Sequence, residues 1–383
     1  MDECQLRQEA ITRYLTGEKV SRITRSLDKS RQWFYFWFER YQSGKTDWYL
    51  DQSKAPTHIP AKIDSQTEQT VISIRRQLET TSYSQVGAIS IQYEFYRRGL
   101  KPPPVWTINR VISHHGMKKQ GPRSRICLKE YPELFIHTHQ LDLVGPRYLK
   151  GDGRFYSVNI IDTCCHSCHT KPVRKKSSDQ ILQAIVEFWQ SHGMPDALQM
   201  DNELAFRGSN RHPKSFGSVV RFSLSQGVAP VFIPIKEPWR NGMIERFNYL
   251  YDQRFLKGMT YQNFDHLVQC SKEFDLFHNS HHRYSSQQHK TPNELCDQLL
   301  TPILYTGSAH LMKKIPLEKG VVYFIRFIRS DLQLKLITEC FKVKESLKYC
   351  YVVAEVNIDN QCLDVKLDNQ IIQSFDYRTP VDW

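Results

Sequence analysis

The sequence predicts a multidomain chain: all-α in its N-terminal third, with tandem helix-turn-helix units, α/β in the centre, and a small β-barrel at the C-terminus. Three observations predict it. Apolar residues recur at helical spacing up to about residue 117. From Phe135 the pattern changes to strand-like alternation interleaved with long amphipathic helices, and from Ile315 onward short β-branched runs repeat at barrel-like intervals. A length of 383 residues suits two or three compact domains, and 40 % hydrophobic content excludes a wholly disordered chain. The most apolar strip, VVYFIRFI at 321–328, is far short of a membrane span and carries Arg326 in its middle. The expected divisions are 1–50, a linker at 51–63, 64–117, a basic linker at 118–129, a core at 130–297, a connector at 298–314, and 315–383.

In the first unit, Leu6, Ala10, Ile11 and Leu15 mark one helix, closed by Gly17, and Val20, Ile23 and Leu27 mark a second. Asp28-Lys29-Ser30 reads as a turn ending in an N-cap, after which RQWFYFWFERYQSG makes a third helix. Most of its aromatics are expected in the core. Arg31 and Gln32, at the exposed helix start, have side chains able to make bidentate contacts with base edges in a major groove. A second trio of helices follows the Pro-containing linker, with Pro104 expected at the first helical position of the last one. The chain's net charge is +12, of which residues 1–130 hold +9. That distribution fits a polyanionic partner for the N-terminal third. The segment 101–125 carries Arg110, Lys118, Lys119, Arg123 and Arg125 without an acidic residue, and phosphate contact is its expected role.

The central third reads as FIHTHQLDLVGP, RFYSVNIIDTCC and HTKPVRKK for three strands, then the amphipathic helix SSDQILQAIVEFWQSHG. ALQMDNE and VAPVFIPI supply further strands, and PWRNGMIERFNYLYDQRFL a long helix, so a mixed sheet with packed helices is expected. Asp142 and Asp201 fall at strand ends, where side chains can converge at a sheet edge. Glu245 lies on the long helix, with Asn241 at i−4 and Asn248 at i+3, on a polar face opposite Ile244, Phe247 and Tyr251. Three carboxylates from separate elements can hold two divalent cations about 3.5–4 Å apart, and oxygen donors suit Mg²⁺.

The strings LDLVGP, MDNELAF, PWRNGMIERFN and HHRYSSQQHKTPNEL resemble the integrase core of DDE transposases and retroviral-type integrases, above all those of bacterial insertion sequences. NGMIERFN is the most specific of them. The resemblance covers roughly residues 130–297 and implies a ribonuclease-H-like fold, with Asp142, Asp201 and Glu245 as catalytic metal ligands for Mg²⁺ or Mn²⁺. It also implies cleavage of double-stranded DNA and transfer of a 3′-hydroxyl end into a target, by a homo-oligomer at least dimeric on DNA, with helper proteins as possible further partners. Arg240 and Asn241 in the same string are expected DNA contacts. Two departures stand out. Glu203 takes a place that is usually glycine, and 43 residues separate Asp201 from Glu245, a gap that the polar run RGSNRHPKSFG (207–217) lengthens.

Two alternatives belong to other classes: a catalytically silent DNA-binding regulator, and a nuclease that cuts without joining. Ten cysteines and an N-terminus without a basic-then-apolar signal fit reduced thiols in a cytoplasmic, nucleoid-associated bacterial protein. Cys165-His166-Ser167-Cys168-His169 matches a haem-attachment spacing, but neither export nor a haem pocket is indicated. Zinc held by Cys165, Cys168 and two histidines stays open. His278, His281 and His282 read either as a polar helix end or as phosphate contacts.

Overall fold

The structure is a computed structural model that describes residues 2–52, 63–118, 130–211, 213–298, 302–307 and 315–380. It divides into two compact units, Met1–Lys62 and Ile63–Trp383. In the first, helices α1 (Glu3–Leu15), α2 (Val20–Ser26) and α3 (Arg31–Gln42) close over Ala10, Ile11, Ile23 and Phe34. Asp28 adopts φ +51 in the turn before α3, and the Ser30 hydroxyl accepts the Trp33 N–H at 3.0 Å, so the expected cap is present. The aromatics of α3 divide by face. Phe34 and Trp37 are buried, whereas Tyr35 and Phe36 are 57 % and 55 % exposed. Arg31 and Gln32 are exposed on the first turn.

The second unit begins with α4 (Ser65–Thr80), α5 (Ala88–Arg97) and α6 (Val105–His114), which enclose Val71, Ile74, Ile91, Phe95, Ile108 and Val111. Pro104 is the N-cap of α6 and not its first helical residue, one position from the expectation. Arg110 is exposed and lies over the Trp106 ring at 5.5 Å. Lys118 is exposed; Lys119, Arg123 and Arg125 lie outside the described residues.

A large mixed sheet follows. Its first part comprises β1 (Thr138–Leu149), β2 (Gly153–Asp162), β3 (Cys168–Val173), β4 (Ala197–Met200) and β5 (Ala229–Phe232). The C-terminal strands are β6 (Val321–Phe327), β7 (Gln333–Lys335), β8 (Cys340–Lys342), β9 (Tyr351–Asn357), β10 (Cys362–Leu367) and β11 (Gln370–Asp376). Strands β1–β3 are antiparallel neighbours, while β4, β5 and β6 run parallel to β1. The helices are α7 (Ser178–His192), the short α8 (Leu204–Arg207), α9 (Ser218–Ser225), α10 (Gly242–Tyr251), α11 (Phe264–His281) and α12 (Pro292–Cys296). Alternation along β2 assigns the faces: Val158 and Ile160 join the core under α7 and α9, and Phe155 and Ile161 join the core under α10 and α11.

The expected small C-terminal β-barrel is not shown. Among the described residues the ladder runs β3-β2-β1-β4-β5-β6-β9-β10-β11 as one sheet, and β7 and β8 pair only with each other. The joint is β5–β6, where Phe232 pairs with Phe324 and their rings stack at 4.9 Å. The apolar strip flagged in the sequence therefore serves as an inner strand, with Val322, Phe324 and Arg326 buried on one face and Ile325 buried between half-buried neighbours on the other.

The described ends of the run 207–217 are pinched together. Gly208 (φ +104) backs onto Gly217, whose N–H donates to the Arg207 carbonyl at 3.0 Å. A Cβ on Gly208 would lie 2.5 Å from the Gly217 nitrogen. Gly208→Ala is therefore expected to destabilise this loop by about 2 kcal/mol or more, read as faster proteolysis between residues 207 and 217; an unchanged cleavage rate refutes the pinch.

Candidate active site

The candidate residues lie where α10 packs on β1, with Asp142 inside that strand and not at its expected end, and Asp201 just past the end of β4. Three polar side chains, Gln140 on β1, Gln199 on β4 and Asn241 at the helix N-cap, anchor the start of α10. Gln140 Oε1 accepts the Ile244 N–H at 2.9 Å, satisfying one of the donors that a helix start leaves without an intrahelical partner. Asn241 donates through Nδ2 to the Leu141 carbonyl at 3.4 Å, and its Oδ1 accepts from Gln199 Nε2 at 3.1 Å. Gln199 also donates to the Arg240 carbonyl at 3.2 Å. These bonds fix the rotation of α10 about its axis, and so fix which residues face β1.

Asp142 then meets the polar face of α10. Asn248 Nδ2 donates to Asp142 Oδ2 at 2.5 Å, and Asn248 Oδ1 accepts from Asn159 Nδ2 at 2.8 Å. Asn159 is the register partner of Asp142 on β2, and its Oδ1 accepts from the Ser157 hydroxyl, which also bonds Tyr251. Glu245, one turn before Asn248, is exposed. Burial pushes the Asp142 carboxyl up to about 7, against the Leu143 N–H, and the negative charges of Asp201, Glu245 and Glu203 add to the rise. Asp201 is raised as well, by burial and by Glu203, and is opposed by the Glu203 N–H at 2.9 Å and by Lys176. Glu203, at the position where glycine was expected, thus adds a carboxylate, which pairs with Lys176. Asp142, Asp201 and Glu245 offer the oxygen donors a hard divalent cation prefers and act on one another through their charges, but they are not among the donor groups whose atoms lie within 4.8 Å of one another.

The loop bearing Asp201 has its own support. Arg326, only 4 % exposed, donates from β6 to Asn202 Oδ1 at 2.6 Å, to the Ile233 carbonyl at 2.9 Å and to the Lys335 carbonyl at 2.7 Å. Burial lowers this guanidinium to about 9, still protonated at neutral pH.

The remaining expected site residues fall into two groups. Arg31, Gln32, Arg110 and Lys118 are exposed, as nucleic-acid contacts must be. Asn241 is not: it is 3 % exposed and its amide is committed to β1 and β4, so the expected DNA contact is corrected to a positioning role. Arg240 is half-buried, between the Tyr131 and Tyr351 rings at 4.1 and 4.6 Å and beside Glu237 at 3.3 Å. His278 and His282 are buried, the latter 2.8 Å from Gln85 of the α4–α5 connection, while His281 stacks on Phe277. Phosphate contact is therefore excluded for the first two. Cys165 and Cys168 part company: the first lies against Cys296, the second against His278 at 3.1 Å. Neither joins a converging donor group among the described residues.

Asn248, Gln140, Gln199 and Arg326 are the supports that the motifs did not single out as such. Asn248→Ala is expected to lower Mg²⁺ affinity by about 10-fold or more and to cost about 1–2 kcal/mol of stability, measured by calorimetric titration and thermal melting. Unchanged Mg²⁺ affinity would remove Asn248 from the site.

No family model matches the chain, and no curated protein matches it. Solved structures do. The chain is similar to the HTLV-2 integrase catalytic core domain in complex with magnesium (dimeric form), at 18 % identity and TM-score 0.32, covering 43 % of this chain and 97 % of that one. It is similar to the simian T-cell lymphotropic virus intasome in complex with PP2A regulatory subunit B56 gamma, at 13 % identity and TM-score 0.36, covering 75 % and 93 %. The BIV integrase catalytic core domain matches at 13 % identity and TM-score 0.32, covering 42 % and 94 %. Scores this low leave the function to rest on the residues themselves. No helix among the described residues is long and apolar enough to cross a membrane.

Proposed function

We propose that the chain is a metal-dependent polynucleotidyl transferase of DDE type, and specifically a DNA transposase. The observation that carries the reading is the clamping of α10 onto β1, which sets Asn248 on Asp142 and brings the charges of Asp201 and Glu245 to bear on it. The motif strings around those residues support the same reading. Asp142, Asp201 and Glu245 would hold two Mg²⁺ or Mn²⁺ ions, which supply activation of the attacking water or 3′-hydroxyl and stabilisation of the leaving oxygen.

The chain's own contribution is placement. Gln140, Gln199 and Asn241 fix α10, Arg326 and Asn202 fix the Asp201 loop, and Asn248 orients the Asp142 carboxylate for in-line displacement. Arg31, Gln32, Arg110 and Lys118 are the proposed contacts to element ends, and bringing two ends together needs at least a dimer. The test is Mg²⁺-dependent nicking and 3′-end joining on the inverted repeats flanking the gene. Asp201→Asn and Glu245→Gln should each reduce both steps by about 10³-fold or more while leaving end binding intact. Cleavage without joined product favours a plain nuclease, and end binding without cleavage favours a silent regulator.

A further inference from the structure

Two groups of side chains bring imidazole and carboxylate donors onto a common point among the described residues: Glu68, His114 and His115 on the surface of the helical trio, and His137, His139 and Asp162 at the start of the sheet. The second is the built one. His139 and Asp162 are register partners on β1 and β2, and His139 lies against Phe188 of α7. It therefore faces away from α10 and from Asp142. The Nε2 atoms of His137 and His139 stand 2.9 and 3.2 Å from the same oxygen, Asp162 Oδ2. The other oxygen, Oδ1, accepts the N–H groups of Cys164 and Cys165 at 2.6 and 3.0 Å, which turns Oδ2 toward the two rings. All three donor atoms lie within 4.8 Å of one another.

We infer that His137, His139 and Asp162 form a binding site for a zinc-class divalent cation, separate from the carboxylate site and independent of the proposed function. Tetrahedral Zn²⁺ with ligands at ~2.0–2.1 Å sets neighbouring donor atoms about 3.3 Å apart, close to the 2.9 and 3.2 Å from the two ring nitrogens to Asp162 Oδ2. Two imidazole nitrogens with one carboxylate select Zn²⁺, or Co²⁺ as its probe, over Mg²⁺, which prefers oxygen. His137 is half-buried and leaves the fourth position open to water. His139 Nδ1 is buried without a hydrogen-bond partner, so the site lacks the outer support worth about 10–100-fold in affinity at well-built zinc centres. A bound ion would tie the start of β1, the end of β2 and the turn through Cys164 together.

The test uses the full chain carrying Asp142→Asn, Asp201→Asn and Glu245→Gln, with His115→Ala to remove the surface group. Titration with Co²⁺ is expected to give one equivalent of tetrahedral visible absorption, displaced by Zn²⁺ and indifferent to excess Mg²⁺. His137→Ala, at a half-buried position the fold tolerates, and Asp162→Asn should each weaken that binding at least tenfold, with circular dichroism reporting that the fold is kept. Absence of the absorption, or its persistence at full strength in His137→Ala, overturns the site.

Discussion

Asp142→Asn is expected to raise the melting temperature of the metal-free protein at pH 8 and to remove divalent-cation binding, cleavage and joining together. The stability gain follows from the sign of the shift. The folded carboxyl holds its proton up to about pH 7, whereas the unfolded chain releases it near the ordinary value of 3.8. Between those values the folded state binds more protons, so stability falls as pH rises, and above pH 7 the penalty is complete. It amounts to at most about 4 kcal/mol for so buried a group, and asparagine removes it while keeping an oxygen to accept from Asn248. The gain should be present at pH 8 and shrink toward pH 4.

Mg²⁺ reverses the comparison. Cation binding requires the ionised carboxylate, so wild-type affinity should fall roughly tenfold for each pH unit below about 7, and added Mg²⁺ should raise the wild-type melting temperature but not that of Asp142→Asn. Equal melting temperatures for the two metal-free proteins at pH 8 would show that burial and the neighbouring carboxylates do not raise Asp142.

Motif strings surround each member of the proposed acidic trio, and Asn248 stands at i+3 from Glu245. Gln140 and Gln199 have no such marker. A glutamine inside a strand has no local signature, and its partner on α10 is set only when β1 and β4 acquire their register. Arg240 and Asn241 show the converse difficulty: a polar pair at a helix start reads alike whether it bonds a phosphate or a neighbouring strand, and burial alone decides. Arg326 was conspicuous as a charge in an apolar strip, but its meaning depended on a loop 124 residues away.

The C-terminal strands were likewise recognisable one by one, while their partners were not. Strand composition fixes a preference for pleated, half-buried surroundings and leaves the choice of neighbour to tertiary contacts. Here β6 pairs with β5 as well as with β9 of its own meander, and that pairing joins what the sequence presents as two domains.

Removal of residues 315–383 is accordingly expected to destroy the fold of the sheet unit instead of releasing an independent core. Leu317, Val322, Phe324, Val352, Ala354 and Leu363 belong to the same buried cluster as Ile185 and Trp189 of α7 and Phe222 of α9. Deleting single large side chains from such a core costs about 2–5 kcal/mol each, so losing this set exceeds the ~5–15 kcal/mol by which a domain is stable. The bared edge of β5 would also offer unpaired backbone groups for aggregation. Fragment 63–314 should be insoluble or lack a cooperative melt.

Arg326→Met in the full chain separates support of the fold from support of the site. It strands Asn202 Oδ1 and the Ile233 and Lys335 carbonyls, a buried-network loss of about 3 kcal/mol, and frees the loop that carries Asp201. The variant should remain folded, melt at lower temperature, and bind Mg²⁺ at least tenfold more weakly. Arg326→Lys, retaining charge and one donor, should recover part of that affinity. A fragment 63–314 that melts cooperatively and binds Mg²⁺ as tightly as the full chain would show that the C-terminal meander is dispensable to the site.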